Sequence, residues 1–291
     1  MSNPLLKSVC RAMERIAPLR LAEKWDNVGL LLESPVQRKG RNRVLLTIDL
    51  TTSVLSEALA KETSVIVAYH PTIFKGLQSL TLANPLQRSL LQCAAEGVSV
   101  YSPHTALDSV WGGINDWLAR GMLGSSLSSS SSPEEGIVEP LVGLKLGANG
   151  ESEGAEGRLV TLNQPIEIDE LVRRIKSHLK LANVQVGYPD VAEGSPSKLV
   201  QTIAICAGSG GSMLVGKPAD VYFTGEMSHH EVLASVAAGK HVILCGHTNT
   251  ERGYLPILAE KLRNGLSEDQ EFGEAVEVLV SQKDQHPLAI V

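Results

Sequence analysis

Apolar residues in this chain follow two recurring patterns, and each predicts its own kind of element. Leu5, Leu6, Val9, Met13 and Ile16 recur at spacings of three and four, which marks one face of an opening helix that ends before Pro18. The other pattern is a short, largely apolar run, seen at Val44–Leu50, Val65–Ala68, Val98–Tyr101, Val200–Cys206, Asp220–Thr224 and Val242–Cys245. Such runs suit strands buried on both faces, as in a parallel sheet. Helical spacing returns between them at Val54, Leu55 and Leu59, at Leu86–Ala95, near Gly113–Ala119, at Leu233, Val236 and Ala237, and at Leu255, Ile257, Leu258 and Leu262. Strand followed by helix, repeated, predicts an α/β protein with sheets flanked by helices.

Gly121–Gly136 interrupts this alternation. It holds the run Ser128–Ser132 with Pro133, Glu134 and Glu135 behind it, lacks core-forming side chains, and is expected to be an exposed linker or loop. Beyond it, Leu141–Leu146, Arg158–Leu162, a helix over Ile168–Leu179 opened by Pro165 and the acidic pair Asp169 and Glu170, and Ala182–Gly187 begin a second α/β unit. The expected division is an N-terminal domain over 1–124, a linker over 125–136 and a C-terminal domain over 137–291 that contributes His247 and Glu251. Val276, Val278, Leu279 and Val280 permit a last strand, suited to a mixed sheet if it returns antiparallel.

A chain of 291 residues can bury roughly three quarters of the surface that its unfolded form exposes, so a real core is available. No apolar run approaches the ~20 residues needed to cross a bilayer. With 26 basic and 32 acidic residues the formal charge is -6, and no basic tract is dense enough to track phosphates, which disfavours direct nucleic-acid binding. Cys10, Cys93, Cys206 and Cys245 are scattered and form no C-x-x-C, so they read as buried reduced thiols rather than a metal or redox group. Lys7, Arg11, Arg15 and Arg20 give the first helix a basic character that fits either an organelle-targeting segment or an ordinary domain helix.

Candidate chemistry collects where the strand-like runs stop. Val242–Cys245 leads through Gly246 to His247, Thr248, Asn249, Thr250, Glu251 and Arg252. With a helix beginning near Thr248 or Thr250, His247 stands at its mouth and Glu251 lies one turn along, so that both can face one space. Val65–Ala68 is followed by Tyr69 and His70, the latter stiffened by Pro71, and Val98–Tyr101 by Ser102, Pro103, His104 and then Asp108. Each histidine alone reads more readily as a structural residue. Their repetition at strand ends points to a shared site at the carboxyl edge of a sheet.

Other segments leave two readings open. Asp26 and Asn27 either cap a turn or lie on a site rim. Gly208–Gly211 either cradles an anion or packs a strand-to-helix turn, and it matches neither dinucleotide fingerprint nor P-loop. Glu226 lies near the end of Asp220–Thr224, while His229 and His230 fall about a hundred degrees apart on the following helix. The set His70, His104, Asp108, His247 and Glu251 suits Fe(II), Mn(II), Co(II) or Zn(II), and Asp108 can bridge two ions about 3.5–4 Å apart. Glu226, His229 and His230 are candidate proton carriers or partners that fix a ligand's tautomer.

The segments YHPTIFKG (Tyr69–Gly76), YSPHTALD (Tyr101–Asp108), GEMSHHE (Gly225–Glu231), GHTNTERG (Gly246–Gly253) and the N-terminal LAEKWDNVGLLL resemble the ordered signatures of the Nif-three-like family, also called type 2 GTP cyclohydrolase I homologues. The resemblance spans nearly the whole chain. It implies two α/β domains with mixed sheets, a metal cleft between them holding one or two divalent ions, and a homo-oligomer commonly built as a hexameric ring. Carried over by motif, the metal ligands are His70, Asp108, His247 and Glu251, with His104 close by. Tyr69 stands where many bacterial members have a histidine and resembles the eukaryotic branch. A neutral phenol is a poor ligand near pH 7, which implies that one metal position is weak, empty or completed by water.

The function expected is a metal-dependent, hydrolase-like activity on a small phosphorylated or nucleotide-like substrate. The alternatives are a non-enzymatic, metal-stabilised protein that binds a transcriptional adaptor, and GTP ring opening. A cytoplasmic address is expected, with a mitochondrial or nuclear pool as alternatives.

Overall fold

The computed structural model describes residues 3–36, 42–123, 135–190, 198–269 and 275–289. The serine-rich run 128–132 lies outside the described residues. Two compact units divide the chain: Met1–Leu107 together with Tyr254–Val291, and Asp108–Gly253.

In chain order the elements begin with α1 (Pro4–Ile16), β1 (Gly29–Leu32), β2 (Arg43–Thr47), α2 (Thr52–Ala60), β3 (Val65–Ala68), α3 (Pro85–Ala95) and β4 (Ser99–Ser102). The division falls within α4 (His104–Ser109). Next come α5 (Ile114–Met122), β5 (Gly136–Leu146), β6 (Ser152–Glu167), α6 (Ile168–Leu179), β7 (Gln185–Gly187) and β8 (Leu199–Ser209). Then α7 (Gly211–Leu214), β9 (Val221–Glu226), α8 (His229–Ala237) and β10 (His241–Leu244) complete the second unit, and α9 (Leu255–Ser267) and β11 (Glu277–Val280) return to the first.

That return corrects the expected boundaries. Residues 254–291 belong with the N-terminal sheet because β11 pairs with β2 and α9 packs on α1, where a Cβ on Gly265 would lie 3.3 Å from Ala12. The pairing is parallel, Glu277 facing Arg43 and Val280 facing Leu46, and not the antiparallel return that the sequence left open. The helical crossover α9 reverses the chain before β11, so the strand enters in the direction of β2.

The first sheet has the order β1-β4-β3-β2-β11, with only β1 antiparallel. Val65, Ile66, Val67 and Ala68 are buried, as are Val44, Leu45 and Leu46, as expected of central strands covered on both faces. Helix α1 opens with Asn3 accepting from the Leu5 N–H and with Pro4 in its first turn, and it buries Leu5, Leu6, Val9, Ala12 and Met13. Thr51 caps α2 through the Val54 N–H.

The second sheet has the order β5-β6-β8-β9-β10-β7, in which only the neighbours β8–β9 and β9–β10 pair parallel. The β5–β6 hairpin is longer than its apolar runs predicted. Ile137, Leu144 and Leu146 on β5 are exposed, so pairing rather than burial carries much of this strand.

The unit's core contains a charge. Arg158 on β6 is fully buried and pairs with both carboxylate oxygens of Asp116 at 2.8 and 2.7 Å. It also donates to the carbonyls of Ala155, Gly157, Ser109 and Val110 and stacks on Trp111. A guanidinium has five N–H donors, and here they tie the segment 109–116 to β6.

Candidate functional site

In the first unit, β2 and β3 end level, with Thr47 paired to Ala68, and the pairing continues past both strands. Tyr69 N–H donates to Thr47 O at 2.9 Å and His70 N–H to Ile48 O at 3.0 Å. Neighbouring strands therefore release Asp49 and His70 side by side, and His70 Nδ1 lies 2.9 Å from Asp49 Oδ1. The next strand, β4, delivers His104, whose Nδ1 is 2.8 Å from Asp26 Oδ1. A carboxylate on Nδ1 keeps the proton there and leaves the Nε2 lone pair to a ligand.

Asp26 both caps its turn and holds a histidine. It accepts from the Asn27 N–H within its own turn, and from the Thr105 N–H and hydroxyl as well as His104. Burial would raise its carboxyl, and the bonds from His104 and Thr105 outweigh that and hold it below the ordinary range. His104 itself has φ of 28°, a left-handed conformation costly to a residue with a Cβ, and its N–H donates to Tyr69 O at 3.2 Å. Tyr69 is buried, its ring centroid 5.0 Å from His70 and 5.4 Å from His104. Trp25 and Phe74 stand largely exposed with centroids 5.9 Å apart, both edge-on to His104.

The second unit repeats the device. Thr224 of β9 pairs with Leu244, the last residue of β10, β9 runs on to Glu226, and Cys245 and Gly246 continue the pairing to Thr224 and Gly225. Glu226 and His247 emerge side by side, His247 Nδ1 being 2.7 Å from Glu226 Oε1. The chain then makes tight 3-10 turns over His247–Thr250 and Arg252–Tyr254 before α9 begins at Leu255, later than expected. These turns still bring the buried Glu251 back, its Oε1 3.3 Å from His247 Nε2.

Two glycines keep space around this pair. Gly208 has φ of 64°, and a Cβ there would lie 2.7 Å from Glu251 Oε1 and 2.9 Å from His247 Nε2. A Cβ on Gly225 would meet Gly208 O at 2.6 Å and His247 Cα at 2.7 Å. The Gly208–Gly211 turn is therefore a close-packed wall and not an anion cradle. Its Gly208 and Gly210 N–H groups are taken by Thr250 and Thr224, and the Glu231 carboxylate lies against Gly211.

The remaining predicted residues divide. Glu226 is the group bonded to His247, whereas His229 and His230 stand exposed in the first turn of α8, edge-on to each other. Asp108 is half-buried, its carbonyl accepting from Asn115. The Cys206 thiol is pushed up by burial and then by the charges of Asp108 and Glu251, and burial pushes Cys93 and Cys245 up to about 12, so these cysteines are inert thiols. Sequence reasoning missed Asp49 as a histidine partner. An acid at or just past the end of the strand run that neighbours each histidine's own was the available signal.

Within the second unit, His247 and Glu251 are residues that could hold a metal ion, offering an imidazole nitrogen and a carboxylate oxygen. The open space over His247 Nε2 and Glu251 Oε1, which a single Cβ would fill, fits such an ion, and the nitrogen and oxygen donors suit a borderline divalent metal.

Residues 4–287 match the Duf34/NIF3 (NGG1p interacting factor 3) family. The chain is 47% identical over 282 residues to the protein NIF3 homolog of Schizosaccharomyces pombe, covering 96% of this chain and 95% of that one. It is 37% identical to the NGG1-interacting factor 3 of Saccharomyces cerevisiae, over 98% of this chain and 96% of the other. Among solved structures it resembles a Bacillus cereus protein related to NIF3, with TM-score 0.73 and 19% identity over 98% of each chain, a likeness of fold.

Proposed function

Because this chain belongs to the Duf34/NIF3 (NGG1p interacting factor 3) family, we propose that it binds divalent metal and carries out hydrolase-type chemistry on a small phosphorylated or nucleotide-like substrate. His70, Asp108, His247 and Glu251 would hold one or two ions of Fe, Mn, Co or Zn. The observation that carries the reading is the His247 arrangement: Nδ1 held by Glu226, Nε2 3.3 Å from the buried Glu251, and Gly208 keeping the space beside both atoms open. A divalent cation bound there supplies Lewis-acid polarisation of an oxygen. The chain's own groups do the rest. Glu226 and Asp49 fix the tautomers of His247 and His70, and His104, its Nδ1 held by Asp26, keeps Nε2 as a proton acceptor. Trp25 and Phe74 offer exposed rings beside His104 on which a planar group can stack.

Protein purified without chelator should carry stoichiometric metal and turn over a member of a metabolite panel that includes GTP, with formate release monitored. Both His247→Ala/Glu251→Ala and Gly208→Ala should lose the ion and the turnover together. Equal turnover by the metal-free double variant would overturn the mechanism.

A second reading has support in the relative named for interaction with NGG1. On it, the chain binds a transcriptional adaptor and the metal stabilises the fold, so the metal-free variant loses partner binding while no substrate is ever turned over. In either case we propose a homo-oligomer, with a hexameric ring as its form.

A further inference from the structure

We infer that a cavity inside the first unit, at the carboxyl ends of β2 and β3, is a subsite for the phosphoryl group of the substrate. It rests on the metal-hydrolase reading and names the end of the substrate that this unit grips. The cavity has a volume of 540 Å³ and is lined by His70, by Thr51 and Ser53 at the start of α2, by Thr72, and by Lys283 and His286 of the C-terminal segment. A space of that size takes a small organic ligand rather than a lone ion.

Its walls are donor-rich and carry one ammonium, that of Lys283. The nine-residue helix α2 begins on it, so the positive end of that helix dipole faces the space. Among the described residues Lys283 has no ion-pair partner, and its side chain is exposed. His286 Nδ1 lies 3.0 Å from Leu288 O and 3.1 Å from Leu288 N, which leaves Nε2 as the atom open to a ligand. Thr72 is 6% exposed and its hydroxyl has no hydrogen-bond partner, although a buried hydroxyl is ordinarily satisfied. The one carboxylate among the lining residues, Asp49, is bonded to His70.

The C-terminal segment is pinned where the subsite needs it. Ser281 N–H donates to Leu46 O at 2.9 Å, and Asp284 accepts from the Ile48 N–H at 2.9 Å. Glu57 accepts from the Ser281 hydroxyl and from the Gln282 and Lys283 N–H groups. Lys283 and His286 are thus carried on fixed backbone beside His70. A phosphoryl group with its charge spread over several oxygens can take an ammonium, an imidazole N–H and helix N–H groups at once.

The test titrates inorganic phosphate, followed by 31P NMR, into the full chain and into Lys283→Ala, Lys283→Glu and Thr72→Val, with metal content measured in each. Phosphate affinity should fall about tenfold in Lys283→Ala and further in Lys283→Glu, with metal content unchanged. Phosphate should still bind His247→Ala, whose loss of metal separates the subsite from the metal reading. Unchanged affinity in both Lys283 variants, or phosphate binding that vanishes with the metal alone, would overturn the subsite.

Discussion

The two units solve one problem in the same way and finish it differently. In each, two neighbouring parallel strands present a carboxylate from one carboxyl end and a histidine from the next: Asp49 and His70 just past β2 and β3, Glu226 at the end of β9 and His247 just past β10. Only the second unit returns a further buried carboxylate to the far side of the ring, Glu251 at His247 Nε2. The first unit adds instead another imidazole, His104 on Asp26, and an anion-friendly cavity. The second unit thus sets an imidazole nitrogen and a carboxylate oxygen together, and the first sets two imidazoles beside a donor-rich cavity.

Their scaffolds differ as well, and this gives the largest effect. The second unit depends on the buried Arg158–Asp116 pair, so Arg158→Met leaves Asp116 and four carbonyls without their donor. Chemical denaturation should show a loss of about 3–5 kcal/mol. A loss below about 1 kcal/mol would mean that the arginine is not the keystone.

Tautomer control comes next in size. Glu226→Gln should weaken metal affinity by about 10–100-fold, the usual effect of losing the partner behind a ligating histidine, and Asp49→Asn by less. Metal titration against a competing chelator compares them directly. A larger effect of Asp49→Asn would transfer the leading role to the first unit.

The smallest effect is local and depends on pH. Burial would raise the Glu57 carboxyl, and bonds from Ser281, Lys61 and the N–H groups of Gln282 and Lys283 outweigh it, lowering it to about 2. A carboxyl lowered on folding contributes stability above its ordinary value of roughly 4.3, and that stability is lost as pH falls toward 2. Amide exchange at Gln282 and Lys283 should accelerate over this window and remain slow at neutral pH. In Glu57→Gln the pH dependence should disappear.

Much of this was legible one segment at a time. Val65–Ala68 and Ile168–Leu179 lie where their apolar patterns put them, and His70, His104 and His247 follow strands as expected. Arg158 was not legible, because within RLVTL it reads as an ordinary strand position and its partner Asp116 lies 42 residues earlier. Asp26 and His104 are 78 residues apart, and Asp49 and His70 are 21 apart. Gly208–Gly211 stayed open between an anion cradle and a packed turn because composition does not say which atoms its N–H groups already bind.

By itself, then, the sequence determined the alternation of strands and helices, the family and the residue types of the site, since these follow from local periodicity and from motifs that are contiguous in the chain. Tertiary structure alone decided which acid stands behind which histidine, that β11 joins the first sheet in parallel, and that residues 254–291 belong to the first unit. Those choices depend on strand register and on buried hydrogen bonds between distant segments, which no local pattern of side chains encodes.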